Sequence, residues 1–212
     1  MSFHLPSLVA VVIAYLVGSL SFAVIVSKTL GMADPRSYGS GNPGATNVLR
    51  SGNKGAALAT LLLDALKGWL PVFVVQHWGD AYGLGLTTAA LAGLAAFLGH
   101  LYPVFFGFQG GKGVATALGA LMGVDWLLGL ATRTSWLIIA FFFRYSSLAS
   151  IVAALFAPAY YLLGGNIAWP LETAVFFTLL AMSLLLIWRH RENIRRLWAG
   201  SESRLGSKKK EV

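Results

Sequence analysis

The amino-acid sequence predicts an all-α, polytopic integral membrane protein of about seven transmembrane or partly spanning helices, with the amino terminus outside and the carboxy terminus in the cytoplasm. Three observations carry that prediction. Of 212 residues, 57% are hydrophobic and only 11% are charged, too little charge to keep a soluble domain monomeric in water. The apolar residues are gathered into runs of spanning length. The cations between those runs fall almost entirely on alternate loops.

The first run, residues 8–26, is nineteen residues without a charge, enough to cross ~30 Å of hydrocarbon at 1.5 Å per residue. Residues 1–7 hold neither Lys nor Arg and the first cation, Lys28, follows the run, so a retained helix is expected and not a cleaved signal peptide. Further runs cover 56–75, 84–106, 114–130, 135–143, 148–163 and 170–188. The run 135–143 reaches only about 14 Å as a helix, so it is expected to be re-entrant or partial. Gly119 and Gly123 offer a small-residue packing face on the fourth run.

Seven crossings put Lys28, Arg36, Arg50, Lys54, Lys112, Arg144 and the eight cations between 189 and 210 on one side, fourteen of sixteen in all. The opposite loops, near Asp80, Asp125 and 164–169, hold only Arg133. The cationic side is therefore expected to be cytoplasmic. Trp78, Tyr82, Trp126, Trp169 and Trp188 stand near the expected interfaces, as aromatic belts do. A single domain over 1–200 is expected, followed by a basic, disordered, lipid-touching tail over 201–212.

Inventory excludes several chemistries. With no Cys there is no disulfide, thiolate nucleophile or thiolate metal site. The sequence has no GxSxG, no zinc-spaced histidine pair with a nearby acid and no calcium-binding loop, so neither a metal nor a cofactor is expected. A net charge of +8 suits anionic headgroups, phosphorylated metabolites or nucleic acid, and charge alone does not choose among them.

Three polar stretches remain, all on the cationic side. The first is Ser40-Gly41-Asn42-Pro43-Gly44-Ala45-Thr46-Asn47 with Arg50 and Lys54. Its glycines allow positive φ angles that aim N–H groups into an anion-binding concavity, though a flexible linker has the same composition. The second is Gly110-Gly111-Lys112-Gly113, opening the run from Val114. There a helix N-terminus and a lysine attract phosphate; the spacing is not that of a nucleotide P-loop, and a tight turn with a snorkelling lysine is the plain alternative. The third is Arg189-His190-Arg191-Glu192-Asn193. On a continuing helix His190 and Asn193 share a face, while Glu192 is spaced to pair with Arg189, Arg195 and Arg196. Asp64 and Lys67, three apart within the second run, are expected to neutralise each other or to line a cavity. Ser146, Ser147 and Ser150 offer hydroxyls after Arg144.

Together, the Ser40–Asn47 stretch with Arg50, Gly99-His100 with the Gly110–Gly113 loop, and His190–Asn193 resemble the bacterial acyl-phosphate:glycerol-3-phosphate acyltransferases, the PlsY family, over about 15–197. The resemblance implies a multi-pass bacterial inner-membrane enzyme with a cytoplasmic active site. It would move a fatty acyl group from acyl phosphate to the 1-position of glycerol 3-phosphate, yielding lysophosphatidate and inorganic phosphate, the first acylation of phospholipid biosynthesis. It puts Ser40, Arg50, Lys112, His190 and Asn193 in the catalytic set, and Asn42, Gly110, Gly111, Gly113, Ser147 and Lys67 among the substrate contacts, with Ser146 an alternative to Ser147. It implies no cofactor; the two substrates and membrane lipids are the expected partners, nucleic acid is not, and a monomer is compatible with this. The rival from another class is a transporter or channel for a phosphorylated small anion, which would be expected to show repeats and a midplane site; the chain has no evident repeat.

Overall fold

The computed structural model describes residues 4–206, which form a bundle of helices. The first apolar run becomes two helices, α1 (Leu5–Gly18) and α2 (Phe22–Thr29), bent by 41° at the break between them. Gly18 lies so close to α5 (Leu86–Leu101) that a Cβ there would sit 2.1 Å from the Ala96 carbonyl oxygen. At the break the Ser19 hydroxyl donates to the Tyr15 carbonyl at 2.9 Å. A short α3 (Ala45–Leu49) lies in the first polar loop, and α4 (Lys54–Trp78) is the longest helix, opened by Asn53, whose side chain accepts the Ala56 N–H at 2.9 Å. Such a cap satisfies one of the orphan donors of a helix start. The remaining helices are α6 (Val114–Val124), α7 (Trp126–Phe143), α8 (Ser146–Gly164), α9 (Thr173–Arg189) and α10 (Arg191–Trp198).

Four helices are individually long and apolar enough to cross a membrane: α4, α5 with its 3-10 extension to Phe106, α7 and α8. Counting each bent pair, α1 with α2 and α9 with α10, as one span raises the number to six. The outer surface is apolar, with Leu58, Leu62, Phe141, Leu155 and Phe177 more than half exposed. A water-facing bundle would carry charge there; lipid tails accept this surface.

The short segment is not the one expected. Asp125 breaks the fourth apolar run, its carboxylate capping α7 by accepting the N–H groups of Leu127 at 2.8 Å and Leu128 at 3.2 Å. Residues 126–130 therefore join 135–143 in one 18-residue helix, and the segment of less than spanning length is the 11-residue α6. The polar residues between those runs are carried within the helix and form no loop, the hydroxyls of Thr132, Thr134 and Ser135 finding acceptors in the carbonyls four residues back, at 2.9, 2.8 and 3.1 Å. Arg133, expected on a loop of the opposite side, is on the exposed face of α7.

Contact between α4 and α6 is set by small residues, as Gly119 and Gly123 led one to expect. A Cβ on Gly119 would lie 1.9 Å from the Ala65 carbonyl oxygen, one on Gly123 2.7 Å from the Val72 Cβ, and one on Gly68 2.1 Å from the Thr116 carbonyl oxygen. The helices thus meet backbone to backbone, where packing and not water exclusion supplies the attraction. Phe97, Leu101, Leu128, Tyr161 and Leu179 fill the core beside this crossing.

The tail also departs from expectation. Instead of being disordered from Ser201, the chain turns back onto the bundle as far as Gly206, with the Leu205 N–H donating to the Arg144 carbonyl at 2.6 Å. The remainder of the expected tail, 207–212, lies outside the described residues.

Gly119→Val forces branched carbons into the Ala65 carbonyl, and overpacking of this kind costs about 2 kcal/mol or more. A clear drop in the thermal unfolding midpoint of purified protein in detergent is expected. Gly85→Ala, where an added methyl meets open space, is expected to change stability by less than about 0.5 kcal/mol.

Candidate active site

The three polar stretches converge at one end of the bundle. In the first, the loop before α4 is wrapped around the buried amide of Asn47, which accepts the Ser40 N–H at 2.9 Å and donates to the carbonyls of Pro35 at 2.6 Å and Tyr38 at 3.2 Å. Gly39, at φ +62°, has no room for a side chain, because a Cβ would lie 2.2 Å from the Asn47 Oδ1. This is a built loop and not a flexible linker. Asn42 donates to the Ser40 carbonyl at 3.1 Å, and Arg50 Nη1 reaches the Asn47 Oδ1 at 3.5 Å. Ser40 and Arg50 stay exposed on its rim.

The second loop, before α6, folds back into the bundle. The Gly111 N–H donates to the His100 carbonyl at 3.2 Å. On the other side Arg189 donates to the Gly110 and Gly111 carbonyls, both at 3.0 Å through Nη2 and again to Gly111 at 3.2 Å through Nε. Gly113 takes φ +81° against the Phe97 ring. These ties present Lys112, whose ammonium donates to the Asn193 Oδ1. Burial disfavours its charge, the Glu202 carboxylate opposes this, and Arg196, Arg50 and Arg189 reinforce it, so its pKa falls from 10.5 to about 8.

The third stretch supplies the far wall. His190 and Asn193 are both buried, at the 54° bend between α9 and α10. His190 Nδ1 lies 2.8 Å from the Leu186 carbonyl oxygen; a carbonyl only accepts, so the proton is on Nδ1 and Nε2 is the acceptor of the neutral ring. Asn193 Nδ2 donates to Glu202 Oε1 at 2.6 Å. The same oxygen accepts the Ser147 hydroxyl at 2.7 Å, and Oε2 accepts Arg196 Nε at 2.7 Å. Burial pushes the Glu202 pKa up, but hydrogen bonds from Ser147, Asn193 and Arg196 with the Arg196 charge outweigh it and hold it below the usual glutamate value. Arg50 Nη2 closes the ring by donating to the Ser203 hydroxyl at 2.8 Å.

The result is a constellation of fixed cations and neutral donors, from four separate segments, at one end of an apolar bundle. Such an arrangement stabilises phosphate and the developing negative charge of acyl or phosphoryl transfer. Residues 8–200 match the family model described as glycerol-3-phosphate acyltransferase. The chain belongs to the glycerol-3-phosphate acyltransferase family. A protein of that name from Albidiferax ferrireducens is 64% identical over 201 residues, covering 95% of this chain and 90% of the relative. Another from Burkholderia pseudomallei is 62% identical over 205 residues, covering 96% and 97%. The crystal structure of PlsY, an integral membrane glycerol 3-phosphate acyltransferase, in its glycerol 3-phosphate form superposes with a TM-score of 0.86 at 42% identity, covering 95% of this chain and 96% of that one. Its lysophosphatidic acid form gives 0.84 at 41%. The chain is thus a multi-pass membrane acyltransferase.

Within the acyltransferase, Arg50, Lys112, Ser147 and Asn193 are gathered as expected, with His190 among the charges of Lys112, Glu202 and Arg189. Ser147, and not Ser146, joins the network; Ser146 lies on its edge, 3.5 Å from Thr46 Oγ1. Lys67, expected among the substrate contacts, is instead fully committed inside the bundle, 2.7 Å from Asp64 Oδ1 and donating to the Leu20 carbonyl at 2.6 Å. Glu192 pairs with Arg195 at 3.4 Å and Arg191 at 4.0 Å. It does not pair with Arg196 or Arg189, because the bend at His190 turns α10 away and those cations are taken by Glu202 and the glycine carbonyls. Three residues were not singled out for the part they play here: Asn47, read only as one member of the first motif, Arg189, expected to pair with Glu192, and Glu202. The available signals were an Asn inside a glycine motif, an Arg adjoining the histidine, and an acid set in a cationic tail.

The lowered pKa sets a pH dependence. Below about pH 8 Lys112 is charged, and above it the ammonium is lost, while a phosphate monoester with its second pKa near 6 is already dianionic from about pH 7 upward. The kcat/KM for the glycerol substrate is expected to fall above about pH 8, towards tenfold per unit, with the limb in kcat displaced upward because bound phosphate favours the ammonium. Lys112→Arg is expected to lower activity and abolish that limb, since a guanidinium stays charged but cannot occupy the place of a compact ammonium. A full pH–rate profile of both proteins checks this.

Proposed function

We propose that the enzyme transfers a fatty acyl group from acyl phosphate to the 1-hydroxyl of glycerol 3-phosphate, releasing lysophosphatidate and inorganic phosphate, at the cytoplasmic face of the bacterial inner membrane. The observation that carries this reading is the meeting of Arg50, Lys112, Ser147 and Asn193 at the polar end of a lipid-facing bundle. One substrate has a chain that belongs in lipid and the other is a small dianion that belongs in water, so both meet where cations border hydrocarbon. The relatives' name supports the acceptor, and the glycerol 3-phosphate and lysophosphatidic acid forms of PlsY support acceptor and product in that protein.

An acyl phosphate is a mixed anhydride with a good leaving group, so the acceptor hydroxyl attacks the acyl carbon directly and no enzyme nucleophile is required. The new C–O bond forms as the carbonyl-to-phosphate C–O bond breaks, and the hydroxyl proton passes to the departing phosphate. Arg50 and Lys112, with Ser40, Asn42 and the N–H groups of Gly110 and Gly113, stabilise the phosphates and the developing oxyanion, while the Gly111 N–H, expected among these donors, is held by the His100 carbonyl. His190, Asn193 and Ser147 orient the glycerol moiety. Orientation and charge stabilisation are then the enzyme's whole task.

Purified enzyme in lipid vesicles is expected to convert acyl phosphate and glycerol 3-phosphate with one phosphate released per lysophosphatidate formed, and to leave acyl-CoA unused. Comparable turnover with acyl-CoA would overturn the donor assignment. For orientation, single cysteines replacing Ser37, Gln109 and Ser201 are expected to react with an impermeant thiol reagent in inverted vesicles and not in intact cells, and those replacing Asp80 and Ile167 in intact cells. Labelling of Ser37 and Gln109 positions from opposite sides would break the shared site.

A further inference from the structure

Three ionisable side chains lie inside the bundle and take no part in the transfer: Asp64 and Lys67 are each 2% exposed and His100 7%. Charge at membrane depth is costly and is retained where it faces a partner or a function. Lys67, paired with Asp64, donates to the Leu20 carbonyl at the break between α1 and α2. The Asp64 oxygen that holds Lys67 also faces His100 Nδ1, at 3.6 Å. A carboxylate on that side favours the tautomer with its proton on Nδ1 and turns Nε2 the other way.

That other way is the second glycine loop. Nε2 lies 2.4 Å from where a Cβ of Gly111 would be, with the Pro43 carbonyl oxygen of the first loop 2.7 Å from the same point. His100 also holds Gly111 through its own carbonyl, which accepts the Gly111 N–H. One residue therefore holds Gly111 by a backbone bond and packs its ring into the space a side chain there would need, at the place where both glycine loops meet, while Arg189 takes the carbonyls of Gly110 and Gly111 from the opposite side. Lys112 is the next residue.

We infer that His100 is a positioning residue for acyl transfer: seated on the buried Asp64–Lys67 pair, it fixes Gly111 and so sets the reach of Lys112 toward the substrate phosphates. The inference rests on the assignment of Lys112 to the site. His100→Ala leaves Lys112 charged and present but free to move, and kcat/KM for glycerol 3-phosphate falls by about 10- to 100-fold, in line with the cost of a misplaced catalytic group. Gly111→Ala, pressing on the same ring, reproduces the loss. His100→Gln, whose amide spans a similar distance, recovers part of it.

The test is a double-mutant cycle in vesicles, with folding of each variant followed by its thermal midpoint. In the Lys112→Ala background, His100→Ala is expected to cause little further loss, because a lysine that is absent cannot be misplaced. A reduced but measurable activity in Lys112→Ala that His100→Ala lowers by its full factor again would overturn the positioning role alone, whereas near-normal activity of Lys112→Ala would overturn the site assignment and this role together. Should His100→Ala not fold, His100→Gln provides the same cycle. Asp64→Leu with Lys67→Leu removes both charges without leaving either unpaired. It is expected to fold and to show the same dependence on Lys112; full activity in that double variant would remove the ion pair from the argument.

Discussion

Backbone polar groups within an apolar bundle have no water to turn to, and three breaks in the helices of this chain are held by side chains or carbonyls that meet that constraint. Where the first apolar run breaks, Lys67 supplies the donor that the Leu20 carbonyl has lost. Where the chain turns back between α5 and α6, Arg189 takes two carbonyls and the His100 carbonyl takes an N–H. Where α6 stops short, the Asp125 carboxylate accepts the first N–H groups of α7. Charged side chains inside an apolar bundle are costly on their own, and here each satisfies groups whose exposure to hydrocarbon would cost more.

The same economy shapes the site. Four cations at one end, Arg50, Lys112, Arg189 and Arg196, repel one another, and Glu202 counters them by accepting from Arg196 while its charge offsets that of Lys112; Ser147 and Asn193 hold it in place. A carboxylate held by three donors keeps the side chains of three elements, α8, α10 and the segment after it, in one fixed relation. These donors are fixed relative to one another without any bound phosphate, which is the kind of order that lowers the cost of stabilising developing charge.

Much of this was legible in the residues themselves. Run lengths and the alternation of cations are direct consequences of bilayer thickness and loop sidedness, so the seven apolar segments and the convergence of the three motifs were open to reading. A loop near Asp125 was expected, but the bounds of the runs beside it were not legible, because the 131–135 stretch has the composition of a loop, and its hydroxyls are accommodated within a helix by carbonyls four residues back, which composition does not reveal. Lys67 was misplaced for a related reason: periodicity says that it shares a face with Asp64, but not that the face is dry and has a broken helix opposite it. Glu202 was invisible because one acid among many cations reads the same whether the tail is loose or docked.

The shortness of α6 bears on the depth at which it opens. Asp64, which adjoins His100 and through it Gly111, is ten residues into α4, or about 15 Å along the helix axis from its first residue. Gly111 and its neighbour Lys112 therefore sit in a recess, well below the level at which the helix begins. The eleven residues of α6 begin at that depth, so its first N–H groups, and the lysine just before them, open within the bundle and not at its rim.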